Sequence, residues 1–122
     1  MTSREVSPSQ LTALTQRLRE FAAARDWEQF HTPKNLAMAL IAEAGELVEH
    51  FQWLTPAQAQ RLSPEELQAV EQEMADVLLY LLRLADRLGV DLEAAAWRKI
   101  EINERKYPAD QVRGSARKAD ES

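Results

Sequence analysis

The sequence contains no cysteine, only three glycines and only five prolines among its 122 residues. Without cysteine, the chain can form no disulfide framework, no zinc–thiolate site and no cysteine nucleophile. The scarcity of glycine and proline argues against an all-β fold, which needs many tight turns. Basic residues are also outnumbered, fifteen against twenty acidic ones, and the net charge is −5. We therefore expect no broad basic surface for polymeric nucleic acid.

Long hydrophobic runs are missing as well. Residues 77–82 are apolar throughout, but six residues are far fewer than the roughly 20 that a membrane-spanning helix requires. The first twenty residues contain no continuous apolar segment of the kind found in a secretory signal. We therefore expect a cytoplasmic protein with no membrane partner. The hydrophobic share of 45% is ordinary for a single globular domain.

What the sequence has in abundance is helix-start signals, in which serine or threonine precedes proline. The segment Ser7-Pro8-Ser9-Gln10 predicts a capping box with Ser7 as the N-cap. Leucines at helical spacing extend this first helix to about Arg25. The remaining predicted elements are a second helix from Thr32-Pro33, a short helical turn from Thr55-Pro56 to about Leu62, a long helix from Ser63-Pro64 to Gly89, and a helix from Asp91 to Lys106.

Four helices with short connections predict an all-α, four-helix-bundle-like domain over residues 1–108. Residues 109–122 have no hydrophobic period and are expected to form a polar C-terminal tail. In the long helix, Leu79 and Leu82 point away from an apolar stripe of Val70, Met74 and Leu81. A helix that is apolar on all sides must be buried on all sides, so we expect helices from another copy of the chain to cover it, in a homo-oligomer.

Two of the predicted helices carry acidic pairs, Glu43/Glu46 and Glu73/Asp76. Residues three apart lie on one helix face, and both pairs lie at the edge of an apolar stripe. A single acidic pair of this kind usually lies on a solvent-exposed face of a helix and has no function. Four clustered carboxylates, however, repel one another, and raised pKa values or a divalent cation must compensate them. Oxygen ligands favour Mg²⁺ or Mn²⁺, and Mg²⁺ completes its coordination with substrate phosphates. The sequence therefore predicts a metal site for phosphoanhydride hydrolysis in a nucleotide.

At these residues the chain resembles the MazG-like all-α nucleoside triphosphate pyrophosphohydrolases, whose hallmark is an ExxE pair followed by an ExxD pair. Other segments are similar to the dCTP pyrophosphatase branch of that family. They are the WEQFH segment at residues 27–31, the FQW segment at 51–53, Lys99, Asn103 and Tyr107-Pro108. One position departs from the branch, because Leu18 stands where relatives carry a histidine near the nucleotide.

The resemblance implies Mg²⁺-dependent cleavage of dCTP or a modified dCTP between the α- and β-phosphates, with Mn²⁺ as a possible substitute. The products are the monophosphate and pyrophosphate, and the role is nucleotide-pool sanitation. It also implies a homotetramer built as a dimer of dimers. The implied metal ligands are Glu43, Glu46, Glu73 and Asp76, with Glu46 also orienting the attacking water as the catalytic residue. The implied substrate-binding residues are Trp27, His31, Trp53, Tyr80, Lys99 and Asn103.

Other interpretations fit parts of the sequence. A carboxylate-bridged di-iron bundle needs two Glu-x-x-His motifs, and the chain has one, at residues 28–31. A non-catalytic helical dimer that senses a nucleotide or binds a protein would use the aromatic residues as a docking patch. Neutralising Glu43 and Glu73 would then be harmless or stabilising. Base specificity also stays open among dCTP, modified dCTP, dUTP and several dNTPs.

Overall fold

The computed structural model describes residues 9–115. All of the regular elements within this range are helical, and none is a strand, which confirms the all-α prediction. No helix in the same range is long and apolar enough to span a membrane. The elements are α1 (Gln10–Ala24), a 3₁₀ turn (Glu28–Phe30), α2 (Pro33–Glu49), α3 (Pro56–Ala59), α4 (Pro64–Leu88), α5 (Leu92–Lys106) and α6 (Ala109–Val112).

Most helix boundaries lie where the capping signals place them. The side chains of Thr32, Thr55, Ser63 and Asp91 each accept a hydrogen bond from the backbone N–H three residues further on. α4 ends at Gly89, whose φ of 70° is the left-handed conformation expected after a helix C-terminus. Local capping chemistry therefore accounts for the start of four helices and the end of the longest.

The start of α1 differs from the prediction. Ser9, rather than Ser7, is the N-cap, and its hydroxyl accepts a hydrogen bond from the N–H of Thr12. Ser7 and Pro8 lie outside the described residues. Two serines two positions apart offer competing caps, and at Ser9 the backbone is extended, as a cap requires. Near the other end of the chain, residues 109–112 of the expected polar tail form the short helix α6.

The chain divides into two compact units, residues 1–90 and residues 91–122. In the first unit, α4 packs most extensively against α2 and also packs against α1. Among the described residues of this unit, the buried apolar ones are Ala22, Leu36, Val70, Leu82 and Ala85. The second unit contains α5 and α6.

The predicted stripe on α4 is only partly correct. Val70 is buried, but Met74 is 56% exposed. Leu82, which was expected to point away from this stripe and to be covered by another copy of the chain, is only 2% exposed within the single chain. The reason is that both α1 and α2 contact α4, so its buried arc is wider than the stripe that a single neighbouring helix would cover.

Candidate active site

The two acidic pairs meet between α2 and α4. One carboxylate oxygen from each of Glu43, Glu73 and Asp76 lies within 4.8 Å of the other two. Glu43 and Glu73 are half-buried, whereas Asp76 is exposed. Glu73 and Asp76 are one helical turn apart, and the packing of α4 on α2 brings both to Glu43. The structure therefore brings together three of the four predicted metal ligands.

The fourth, Glu46, joins this group from the solvent side. It lies one turn after Glu43 on α2 and is exposed. Hydrogen bonding with Glu43, followed by the charge of that group, raises the pKa of Glu46. Hydrogen bonding with Glu73 is the largest cause that raises the pKa of Glu43 above its ordinary value of 4.5. The raised pKa values of Glu43 and Glu46 reflect carboxyl groups that lie close to one another, so these four residues, which we call the carboxylate cluster, favour binding a positive charge.

Two buried oxygens of the carboxylate cluster have no hydrogen-bond donor or positive charge as a partner among the described residues. The Oε2 atoms of Glu43 and Glu73 are buried and form no hydrogen bond with any described residue. No lysine, arginine or histidine in residues 9–115 forms an ion pair with the cluster. Burying an unpaired carboxylate oxygen is costly, and a hard divalent cation bound by oxygen ligands removes that cost. The residues present therefore fit a divalent metal ion.

A cavity of about 670 Å³ adjoins the carboxylate cluster. Asp76 belongs to both, because it supplies one oxygen to the cluster and also lines the cavity. A volume of this size lies within the range of small-molecule sites. The other lining residues come from α1, α4 and the segment between α1 and α2, and they are Leu14, Arg17, Leu18, Phe21, Trp27, His31, Leu79, Tyr80 and Arg83.

Three of the six predicted substrate-binding residues, Trp27, His31 and Tyr80, line this cavity. The ring of Trp27 makes edge contacts with Phe21 at 5.6 Å and with His31 at 6.3 Å between centroids. Asp26, just before Trp27, has a φ of 54°, and its left-handed backbone turns the chain from α1 into the 3₁₀ turn. These contacts make one wall of the cavity aromatic.

The other three predicted substrate-binding residues are not among those that line this cavity. Trp53 follows the end of α2, is 85% exposed and does not line the cavity. Lys99 and Asn103 are exposed and lie one turn apart on α5, in the second unit. A substrate role for these three residues stays a prediction.

Two arginines on the cavity wall, Arg17 and Arg83, are not among the residues predicted from the sequence. Arg83 is 4% exposed, and it forms hydrogen bonds with His31 and Asp86. A signal for it was present, because Arg83 follows Asp76 by seven positions and this spacing places both on one face of a helix. A charged residue directly after the apolar residues 77–82 was a second signal.

Comparison with known proteins identifies the family. The model of the MazG-like family matches residues 39–121. The chain belongs to the MazG-like family. The matched range includes all four members of the carboxylate cluster, and the resemblance stated from the two acidic pairs is confirmed.

Similar proteins include two curated mammalian relatives named dCTP pyrophosphatase 1. The protein from Homo sapiens is 54% identical over 101 residues, which are 81% of this chain and 59% of the relative. The protein from Rattus norvegicus is 50% identical over 99 residues, which are 80% of this chain and 58% of the relative. The chain thus spans less than two thirds of the length of the curated relatives it matches.

A solved structure supports the same fold. The chain is similar to a pyrophosphatase from Archaeoglobus fulgidus DSM 4304 with a TM-score of 0.73 and 42% sequence identity. The similarity covers 85% of this chain and 97% of the archaeal chain. Together with the family match, this similarity confirms the all-α MazG-like fold.

Proposed function

We propose that this protein is a cytoplasmic, Mg²⁺-dependent nucleoside triphosphate pyrophosphohydrolase. Its proposed substrate is dCTP or a modified dCTP, which it converts to the monophosphate and pyrophosphate for nucleotide-pool sanitation. The observation that carries the proposal is the double position of Asp76, in the carboxylate cluster and on the wall of the aromatic cavity. A nucleotide whose phosphates lie at the cluster has its nucleoside beside this cavity. The names of the mammalian relatives and of the archaeal neighbour support the same reaction class.

In this proposal the carboxylate cluster, Glu43, Glu46, Glu73 and Asp76, holds the metal. When bound, Mg²⁺ polarises phosphoryl oxygens and lowers the pKa of water. All ligands offered by the protein are oxygens, which suits Mg²⁺ and permits Mn²⁺. The two unpartnered buried oxygens of Glu43 and Glu73 are the strongest support for a cation at this place.

Glu46 is the proposed catalytic residue. It is the exposed member of its pair on α2, so its carboxylate is open to water. A carboxylate in this position accepts a hydrogen bond from the attacking water and orients the water's lone pair toward phosphorus. The neighbouring Glu43, by contrast, points one oxygen into the protein, where solvent does not reach it.

The aromatic wall is the proposed nucleoside site. Stacking of a base on an aromatic ring contributes about 1–3 kcal/mol, and Trp27 is 44% exposed beside the cavity. Tyr80 lies one turn after Asp76 on α4, so its hydroxyl is available near the cluster. We assign substrate contacts to Trp27, His31 and Tyr80 within one subunit.

The remaining contacts are proposed to involve a homotetramer built as a dimer of dimers. Apolar side chains on α2 and α4 remain exposed in the single chain, namely Met38, Ile41, Val48, Met74 and Leu78. A second copy of the chain would bury them, and such burial drives association. In that assembly Trp53, Lys99 and Asn103 are proposed to complete the substrate site.

A second candidate is a pyrophosphatase of broader dNTP specificity. Leu18 lines the cavity and gives this part of the wall no hydrogen-bonding group. A wall that binds a base through apolar contact discriminates weakly between bases. This candidate shares the metal chemistry and differs only in substrate range.

Pyrophosphate release from every canonical dNTP and NTP, and from 5-methyl-dCTP, tests the proposal. We expect release in Mg²⁺ that is fastest with dCTP or 5-methyl-dCTP and is absent in EDTA. Similar rates with several dNTPs would favour the second candidate. No release from any substrate would overturn both, and it would favour a non-catalytic nucleotide-sensing or protein-binding dimer.

A further inference from the structure

Arg83 is the one charged residue in the described part of the chain that is buried. Its Nε donates to Nδ1 of His31 at 3.2 Å, and its Nη1 donates to Asp86 Oδ2 at 3.0 Å. Arg19 of α1 also donates to Asp86 through its Nε, at 2.9 and 3.0 Å to the two carboxylate oxygens. Arg83 therefore connects α4 to the segment before α2, and Asp86 connects α4 to α1.

The bond to His31 defines where the imidazole carries its proton. A guanidinium group has only N–H donors and no acceptor, so Nδ1 of His31 must be unprotonated. A neutral imidazole with a bare Nδ1 carries its proton on Nε2. Burial, followed by the positive charges of Arg83 and Arg87, lowers the pKa of His31 and so favours the neutral ring.

The other ring nitrogen is available to a ligand. His31 lines the cavity beside Trp27 and Tyr80. Within residues 9–115, its Nε2 forms no hydrogen bond. The atom is also not among the fully buried polar atoms that lack a hydrogen-bond partner. The ring therefore offers one free polar group at the cavity, and the bond from Arg83 makes that group a donor.

We propose that Arg83 is a positioning residue that holds His31 as the Nε2–H tautomer, so that His31 donates a hydrogen bond to an acceptor atom of the bound base. The choice of a base as the ligand rests on the proposed function. Pyrimidines carry a carbonyl oxygen beside the glycosidic nitrogen, and cytosine adds an acceptor at N3. A base edge with only a donor at this place leaves the His31 N–H unpaired, which weakens its binding.

Long-range ¹⁵N–¹H correlation spectra of the full chain without nucleotide test the tautomer. His50 is the only other histidine, so assignment is simple. We expect His31 to be protonated at Nε2 alone, and we expect Arg83→Met to produce a mixture of tautomers. Arg87→Met is the matched control, because Arg87 also acts on His31 through its charge but forms no hydrogen bond with it in the described residues. A proton on Nδ1 in the native protein would overturn the proposal.

Titration with dCMP tests the ligand without requiring catalysis. We expect dCMP to shift the His31 Nε2 resonance, and we expect inorganic pyrophosphate to leave it unchanged. If dCMP leaves the resonance unchanged while the tautomer is the expected one, the donor role is overturned. Failure of the proposed function gives a different pattern, in which no nucleotide is hydrolysed although both spectroscopic results hold.

Steady-state kinetics test whether Arg83 acts through His31. We expect Arg83→Met to raise KM for dCTP about three- to tenfold, the range for one hydrogen bond, with kcat within about twofold. In a His31→Phe background, Arg83→Met should not raise KM any further, because the side chain through which Arg83 acts is absent. A KM increase that persists with His31→Phe would show that Arg83 only supports the wall. If circular dichroism shows that Arg83→Met does not fold, Arg83→Lys replaces it. Lysine keeps the positive charge beside Asp86 but lacks the planar guanidinium group that donates to both His31 and Asp86.

Discussion

Two charged groups lie ten residues apart on α4 and are built in opposite ways. The first is the carboxylate cluster, to which α4 contributes Glu73 and Asp76. The second is the arginine network, in which Arg83 and Asp86 of α4 bind Arg19 and His31 and lie near Glu28. Both adjoin the same cavity, through Asp76 and Arg83. Their difference is therefore one of charge balance rather than of location.

In the arginine network, each charge has an opposite partner. Hydrogen bonds from Arg19, supplemented by the charges of Arg19 and Arg83, hold the pKa of Asp86 below its ordinary value of 3.8. The Nη2 of Arg83 forms no hydrogen bond with any residue from 9 to 115, and it lies 3.9 Å from a Glu28 carboxylate oxygen. In the carboxylate cluster, like charges meet, and the pKa values of Glu43 and Glu46 are raised. The arginine network therefore contains its own counter-charges, whereas the carboxylate cluster has none among the described residues and fits a bound cation.

The largest expected effect comes from breaking the arginine network with Asp86→Ala. Removing one partner of a buried ion pair costs about 3–5 kcal/mol, because the other charge stays buried and uncompensated. The side chains of Arg83 and Asp86 are only 5% and 9% exposed, so the free energy of unfolding should fall by that amount. Urea unfolding measures it. A loss below about 0.5 kcal/mol, the range of ordinary surface substitutions, would show that the network does not stabilise the fold.

A smaller effect is expected from pH, with opposite signs for the two groups. A raised carboxyl pKa in the folded state stabilises the protein below the unfolded value of 4.5, and that contribution is lost as pH rises through the folded pKa values. The lowered pKa of Asp86 stabilises the protein above 3.8 and is lost as pH falls through the folded value. In EDTA, the melting temperature should therefore rise from pH 7 toward 4.5 and fall below 3.8.

Two variants separate these two parts of the pH profile of the melting temperature. Glu43→Gln should flatten the rise above pH 4.5, and Asp86→Asn should flatten the fall below pH 3.8. The opposite assignment, or one pH profile for all three proteins, would contradict the charge balance described for the two groups.

The smallest effect is expected from Arg19→Met, which removes the outer partner of Asp86. The Arg19 side chain is 53% exposed, and solvent screens an exposed ion pair. Because Arg83 still pairs with Asp86, the free energy of unfolding should fall by much less than with Asp86→Ala in the same urea experiment. A loss as large as that of Asp86→Ala would mean that Arg19, rather than Arg83, anchors the network.

Local signals explain how much of this molecule could be predicted. Caps such as Thr32 and Ser63 act within three residues, and so the sequence reveals them. The i, i+3 spacing of Glu73 and Asp76 is equally local. The burial of Leu82 instead of Met74 depends on which helices flank α4. Likewise, Arg83 acquires its role only when the segment before α2 brings His31 to it, and no local pattern encodes that contact.

The most direct measurement of the central claim is Mg²⁺ binding by calorimetry to the native chain, Glu73→Gln and Glu71→Gln. Glu71 is an exposed acid on the same helix and outside the carboxylate cluster, so it controls for the loss of one negative charge. We expect the native chain and Glu71→Gln to bind Mg²⁺ alike and Glu73→Gln to bind at least about tenfold more weakly. Equal binding by all three proteins would show that the carboxylate cluster is not a metal site.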